Sequence, residues 1–162
     1  MNAMVPTLQF RPIADKVFVG RFIASRWGTN ALFMSGWVRP ASEVEAIGAY
    51  EGDTLLGLAT WSVTKAIAAI YSLDSLTEGR GVGGRLIDAV AAASRLAGAT
   101  RLRTSTTNDN LHALGFLQRR GFRLTTLYAG AAVAYAMSHP ELAAEGMDGI
   151  PRRDALELEL DL

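Results

Sequence analysis

Three glycines, Gly79, Gly81 and Gly84, stand between a β-type run and a helical run and satisfy G-x-G-x-x-G. Successive backbone N–H groups at such a strand-to-helix turn form a positive nest for phosphate oxygens, and glycine removes the Cβ atoms that would hold the ligand off. Val82 and Gly83 complete the cradle, and Arg80 offers a charged fork to the same phosphates or is an ordinary solvated arginine. Walker A chemistry needs Lys followed by Ser or Thr after the glycines, whereas Arg85 follows here. A dinucleotide fingerprint normally opens its fold and needs an acidic residue ending the next strand. This cluster comes nearly halfway along the chain, and Thr104 stands where the acid belongs. A tight turn that simply packs against a sheet is the alternative.

The titratable groups that could move a proton are few. Asp74, Asp109, Glu157 and Glu159 are candidate bases, His112 titrates near neutrality, and Tyr71 and Tyr128 can donate from a phenol. Each has an ordinary structural role as well: a helix cap or first-turn charge for Asp109, the solvated face of the last strand for Glu157 and Glu159, core packing for Trp27 and Trp37. The chain has no cysteine, which excludes disulfides, thiolate nucleophiles and Cys-ligated metals, and His112 and His139 are too few for a histidine-rich metal site. No metal is expected. Sixteen basic residues balance sixteen acidic ones, so neither nucleic acid nor an anionic membrane is an expected partner. The start, MNAMVPTLQF, lacks a secretory pattern and no long apolar window follows, so a cytoplasmic location is expected. At 162 residues and 49 % hydrophobic composition, one domain over residues 1–162 is the expectation.

The elements that must position these groups follow from periodicity. Thr7 to Arg11 reads as a strand, and Pro12 opens a helix in which Phe18/Phe22 and Val19/Ile23/Trp27 recur at four-residue spacing until Gly28. Asn30 to Pro40 is open to a loop, a short strand or a distorted helix. Ala46 to Tyr50, Leu55 to Val63 and Ala66 to Leu73 form an antiparallel meander. Past the glycines, Val82, Leu86, Val90, Ala93 and Ala97 mark one face of a helix ended by Gly98. Arg101 to Thr107 is a strand that delivers Asn108-Asp109-Asn110 to a helix ending at Gly121, and Phe122 to Tyr128 begins the next strand. Ala131 to Met137 gives a helical turn or two, and Leu156, Leu158, Leu160 and Leu162 alternate with acids as a strand with one buried face.

Glu78-Gly79-Arg80-Gly81-Val82-Gly83, followed some 25 residues later by Asn110-Leu111-His112-Ala113-Leu114-Gly115-Phe116-Leu117-Gln118-Arg119-Arg120-Gly121-Phe122, resembles the acyl-CoA-binding core of the GCN5-related N-acetyltransferase (GNAT) superfamily. The first motif lands on Glu78, Gly81 and Gly83, and the second on Asn110, Ala113, Phe116, Gly121 and Phe122. The chain is also similar to bacterial single-domain members with Leu73 to Leu76 before the glycines, Thr107 to Asn110 before the second helix, and Gly149 to Asp154 before Glu157 to Leu160.

The resemblance implies an α+β, mixed α/β fold: a bent, mixed central sheet of six to seven strands flanked by helices, with the family's fourth and fifth strands splayed. The pantetheine arm of acetyl-CoA, the cosubstrate, would lie in that gap against Leu73 to Ser75. The diphosphate would rest on Gly79, Arg80, Gly81, Val82, Gly83 and Gly84. Asn110, Ala113 and Phe116 would flank the arm. A backbone N–H near Leu73 to Ser75 would receive the oxyanion of a direct attack by an amine. Leu117 stands where the family commonly places an acid tyrosine, Glu78 replaces the usual Gln or Arg, and Ala68 and Ala69 fall where a base glutamate is often found. Asp74, nearest the thioester, and Tyr128, from the next strand, are therefore the catalytic candidates. The acceptor would be a small-molecule amine or a protein amino group, and the resemblance puts Trp27 and Trp37 in the region that shapes its cleft. An acyl-CoA-binding regulatory domain without turnover, and a homodimerising module completed by the Leu-rich last strand, are the competing readings.

Overall fold

The computed structural model describes residues 7–35, 37–140 and 145–162. Nine strands form: β1 (Gln9–Pro12), β2 (Ala31–Met34), β3 (Trp37–Pro40), β4 (Glu45–Glu51), β5 (Thr54–Thr64), β6 (Ile67–Ser75), β7 (Arg101–Thr107), β8 (Arg123–Tyr128) and β9 (Ala155–Asp161). Four helices join them: α1 (Lys16–Trp27), α2 (Val82–Leu96), α3 (Leu111–Arg119) and α4 (Ala131–Ser138). Seven strands make one sheet in the order β1-β4-β5-β6-β7-β9-β8, and β2 pairs with β3 in a separate hairpin. Only β6 and β7 run parallel, because α2 crosses over between them. This is the mixed sheet that the resemblance implies, built with seven strands.

The join between β6 and β7 fails partway. Their register runs from Ile67↔Arg101 to Ile70↔Thr104 and stops. At the same level the β5–β6 ladder shifts, from Trp61↔Ile70 to Thr60↔Ser72, so Tyr71 is an extra residue on β6. Such a bulge bends its strand and increases its twist, which carries the second half of β6 away from β7. It also resets the alternation. Ile70 belongs with α2 on one face of the sheet, whereas Asp74, opposite Leu58, belongs with α1 on the other.

Each face has its own core. Val82, Leu86, Ile87 and Val90 of α2 pack with Ala59, Ile70, Leu102, Leu117, Phe122 and Leu158. Val19 and Ile23 of α1 pack with Leu32, Ala41, Val44, Ala46 and Leu58. Helix α2 seats closely because Gly57 lies beneath it: a Cβ there would stand 2.7 Å from the Val82 side chain and from the Asp74 carbonyl.

Several details differ from the periodicity reading. Pro12 closes β1, and α1 begins at Lys16 with the Asp15 carboxylate accepting from the Phe18 N–H at 3.0 Å. Within the stretch left open by the sequence, Ala31–Met34 and Trp37–Pro40 pair as β2 and β3. The buried stripe of α2 turns through Ile87, Ala91 and Ser94, leaving Ala97 exposed, since 3.6-residue geometry drifts from a strict four-residue step. Strand β9 lies between β7 and β8 and is paired on both sides, so the late strand is interior and β8 is the edge.

Candidate active site

A cavity of about 700 Å³ opens where β6 leaves β7. The second half of β6, the turn from Thr77 to Gly84, the middle of β7 and the first turns of α3 line it. Ten of the eleven residues assigned to the cofactor by the sequence lie on its wall: Leu73, Ser75, Gly79, Gly81, Val82, Gly83, Gly84, Asn110, Ala113 and Phe116.

At one end is the glycine turn. Gly79 and Gly81 take left-handed φ of +72° and +66°, and nothing lies within 4 Å of a Cβ built on either, so this backbone is uncovered. The first backbone bond of α2 runs from the Arg85 N–H to the Gly81 carbonyl, and Gly81 gives the helix no side-chain cap. The N–H groups of Val82, Gly83 and Gly84 therefore have no partner within the helix and present the positive end of its dipole. Gly83 faces Phe116 across the cleft, where an added Cβ would stand 3.7 Å from the Phe116 Cζ. Gly84 serves a different need. A Cβ there would fall 2.5 Å from the Arg120 guanidinium, which lies over this glycine to pair with Asp88 at 2.6 Å and fastens α3 to α2. Arg80 turns away from the cleft to Glu51 at 2.5 Å. Their mutual hydrogen bond, the main cause, holds the Glu51 carboxyl below its ordinary value and the guanidinium above its own.

At the other end is the unpaired half of β6. The Leu76 N–H donates to the Leu56 carbonyl at 2.8 Å. By antiparallel alternation the backbone groups of Asp74 and Ser72 also face β5, and those of Leu73 and Ser75 face the gap. The gap is a passage between the two faces of the sheet. Leu73, Phe116 and the glycine turn bound it on the α2 side, and Trp27, at the end of α1, bounds it on the other.

Asp74 is buried on the α1 side, and its carboxylate accepts from the Trp27 indole N–H at 3.0 and 3.3 Å and from Arg26 at 3.4 Å. Trp27 is thus 44 % exposed and held over the passage, not packed in the core. Tyr128 is set apart from the cavity wall, its hydroxyl 3.5 Å from Glu157. Glu157 is buried and Glu159 nearly so, because Arg103 spans both at 3.1 and 2.8 Å. Burial works against the Arg103 charge, but hydrogen bonding to Glu159 and the charges of Glu157 and Glu159 outweigh it and raise its pKa. Period-two reading missed this, since an arginine on β7 can bury the acidic face of β9 as an ion pair.

Trp27 lines the cavity, as the resemblance implied and core packing did not, whereas sequence reading missed Thr77, Thr104, Ser105 and Thr106 as lining residues. Thr77 Oγ1 is buried without a hydrogen-bond partner beside the turn. His112 and Tyr71 line the cavity too, with the Tyr71 hydroxyl 3.0 Å from Ser62 Oγ. Leu117 forms part of the wall and is otherwise buried.

The entry to α3 is fixed from outside the cavity. Asn108 accepts from the N–H groups of Arg153 and Asp154 at 2.9 and 3.0 Å and donates to the Pro151 carbonyl at 3.0 Å. Asp109, fully buried, accepts from the Met147 N–H at 3.0 Å and from Arg152 at 3.1 Å. Burial alone would raise its carboxyl, but the Thr107 hydroxyl, the backbone N–H groups of Met147 and Asp109, and Arg152 together hold it below the usual range. Asn110 caps α3 through its carbonyl oxygen, bonded to the Ala113 N–H at 3.1 Å, which leaves the amide NH2 for the cleft. Among the described residues, no group of three His, Asp or Glu side chains is placed to hold a metal ion, and no helix is long and apolar enough to cross a membrane.

Residues 20–122 match the model of the acetyltransferase (GNAT) family. Bacillus subtilis YxbD, a protein of uncharacterised function, is 32 % identical over 160 residues, covering 98 % of each chain. Among solved structures, a Bacillus subtilis acetyltransferase in complex with CoA superposes with a TM-score of 0.69 at 19 % identity, over 96 % of this chain and 99 % of that one. A GNAT family acetyltransferase from Elizabethkingia anophelis with acetyl-CoA bound gives 0.69 at 16 % identity, over 96 % and 98 %. With the sheet, the splay and the glycine turn in place, the chain belongs to the acetyltransferase (GNAT) family.

Proposed function

We propose that the chain, acting as one N-acetyltransferase-like domain in the cytoplasm, transfers an acetyl group from acetyl-CoA to an amino group of a small molecule or a protein. The observation that carries this is the meeting, in one cavity, of an uncovered glycine turn with free helix N–H groups and a strand half whose backbone faces a gap. The turn suits a diphosphate, and the strand suits the amide-bearing arm that joins a diphosphate to a thioester.

Bound acetyl-CoA supplies a thioester whose carbonyl carbon takes the amine and whose sulfur leaves as a thiolate. The gap-facing backbone of Leu73 and Ser75 offers N–H donors to the developing oxyanion without a side chain. The Asn110 amide and the Phe116 ring hold the arm from α3. Leu117 has no proton to give, so the proton that the attacking amine sheds and the proton that the leaving thiolate takes up would both be exchanged with water, a tolerable route for a thiol leaving group near neutrality. Asp74, held by Trp27 and Arg26, shapes the acceptor side, and Tyr128, off the cavity wall with its hydroxyl towards Glu157, is not placed to protonate the sulfur. A self-associated form would use edge strand β8, because β9 is already paired on both sides.

The test is free-thiol release from acetyl-CoA over an amine panel, from about pH 6 to about pH 9. Amine-dependent release that rises as the acceptor loses its proton is the expected result. Tight acetyl-CoA binding without release for any amine would favour a regulatory acyl-CoA-binding domain.

A further inference from the structure

The α1-side mouth of the passage has an unbalanced charge. Two buried carboxylates lie on this face, and each is already held by arginine: Asp74 by Arg26 at 3.4 Å together with the Trp27 indole, and Glu157 by Arg103 at 3.1 Å. Arg39 is different. It sits on β3 opposite Leu32, half-buried, with its guanidinium carbon 5.9 Å from the centre of the Tyr71 ring. Tyr71 and Trp27 both line the passage. Among the described residues, no carboxylate lies within ion-pair distance of Arg39.

A guanidinium held within cation–π range of an aromatic ring and left without an anion is placed to receive one, and its planar fork matches a carboxylate through two parallel hydrogen bonds. Resting on the acetyltransferase reading above, we propose that the acceptor is an amine that also bears a carboxylate, of the α-amino acid class, and that Arg39 is the specificity residue that binds this carboxylate while the amino group enters between Trp27 and Tyr71.

The test compares L-α-amino acids with their matched carboxamides in two assays: KM in thiol release, and titration into the protein loaded with CoA, which needs no turnover. Wild type, Arg39→Ala and Arg39→Lys are measured, with acetyl-CoA titration as the control for folding. The free acids are expected to be favoured by about tenfold or more in KM or Kd. That preference should vanish in Arg39→Ala and return in part in Arg39→Lys, with acetyl-CoA affinity, the control for folding, little changed. Carboxamides bound equally or better, a preference that survives Arg39→Ala, or no binding of either series would overturn the inference. Failure of the acetyltransferase reading looks different: acetyl-CoA itself does not bind, or no amine of any kind releases thiol.

Discussion

The glycine turn before α2 and the Asn108–Asp109 junction before α3 are both strand-to-helix connections at the edge of the same cavity, and they are built in opposite ways. At Gly79 and Gly81 the backbone is left uncovered, with the first N–H groups of α2 lacking a partner within the helix and the nearby Thr77 hydroxyl buried without one. At Asn108 to Asn110 each side chain is committed to a neighbour: Asn108 to the backbone of Pro151, Arg153 and Asp154, Asp109 to Met147 and Arg152, and Asn110 to the start of α3. Unpaired polar groups next to a cavity are available to a ligand, whereas a saturated buried network holds the scaffold that places them. Binding energy should therefore reside in the first junction and folding energy in the second.

The largest effect expected from this contrast is on stability. Asp109→Ala strips the partner from Arg152 and the Met147 N–H, and removing one half of a buried pair costs about 3 kcal/mol, read from urea unfolding. The same carboxylate also sets an acid limb. Because its folded pKa is depressed, its stabilisation is present above the unfolded value of about 3.9 and is lost as pH falls through the lower folded value. Asp109→Asn should accordingly show a shallower loss of stability below about pH 4 than the wild type.

Gly81→Val is the converse variant. It forces a β-branched side chain into φ +66° and over the open turn, so acetyl-CoA affinity should fall by about 100-fold, with a stability cost of about 1–2 kcal/mol for the strain. A stability loss larger than the affinity loss would erase the distinction between the two junctions. Leu117→Tyr restores a proton donor on the cavity wall and should raise the rate of thiol release by about tenfold where thiolate departure limits turnover. The smallest effect is expected from Arg80→Ala. Its exposed pair with Glu51 is weakly held, so unfolding should be unchanged and acetyl-CoA affinity should drop only a few-fold, through the loss of one cation near the diphosphate.

Much of this was legible in the linear chain, since glycine at left-handed positions and helix periodicity are local constraints. The turn from Gly79 to Gly84 and the meander from β4 to β6 were readable that way, whereas the cap expected of Asp109 falls to Asn110 and Asp109 is buried against Arg152. What escaped were consequences of register. The bulge at Tyr71 exists only in the pairing of β5 with β6, yet it opens the gap and moves Asp74 to the α1 face. The burial of Glu157 depends on β9 lying beside Arg103, and strand order is not written in the alternation of leucine and glutamate. Gly84 was readable as a glycine but not as the seat of Arg120, because that depends on a side chain that arrives from a distant element.

The central claim is that the uncovered turn before α2 grips a diphosphate, and calorimetric titration of CoA into wild type and Gly81→Val tests it most directly. Micromolar binding by the wild type that is lost in the variant, while Asp109→Asn keeps it, is the predicted result. Equal affinity in wild type and Gly81→Val, or no binding to either, would contradict it.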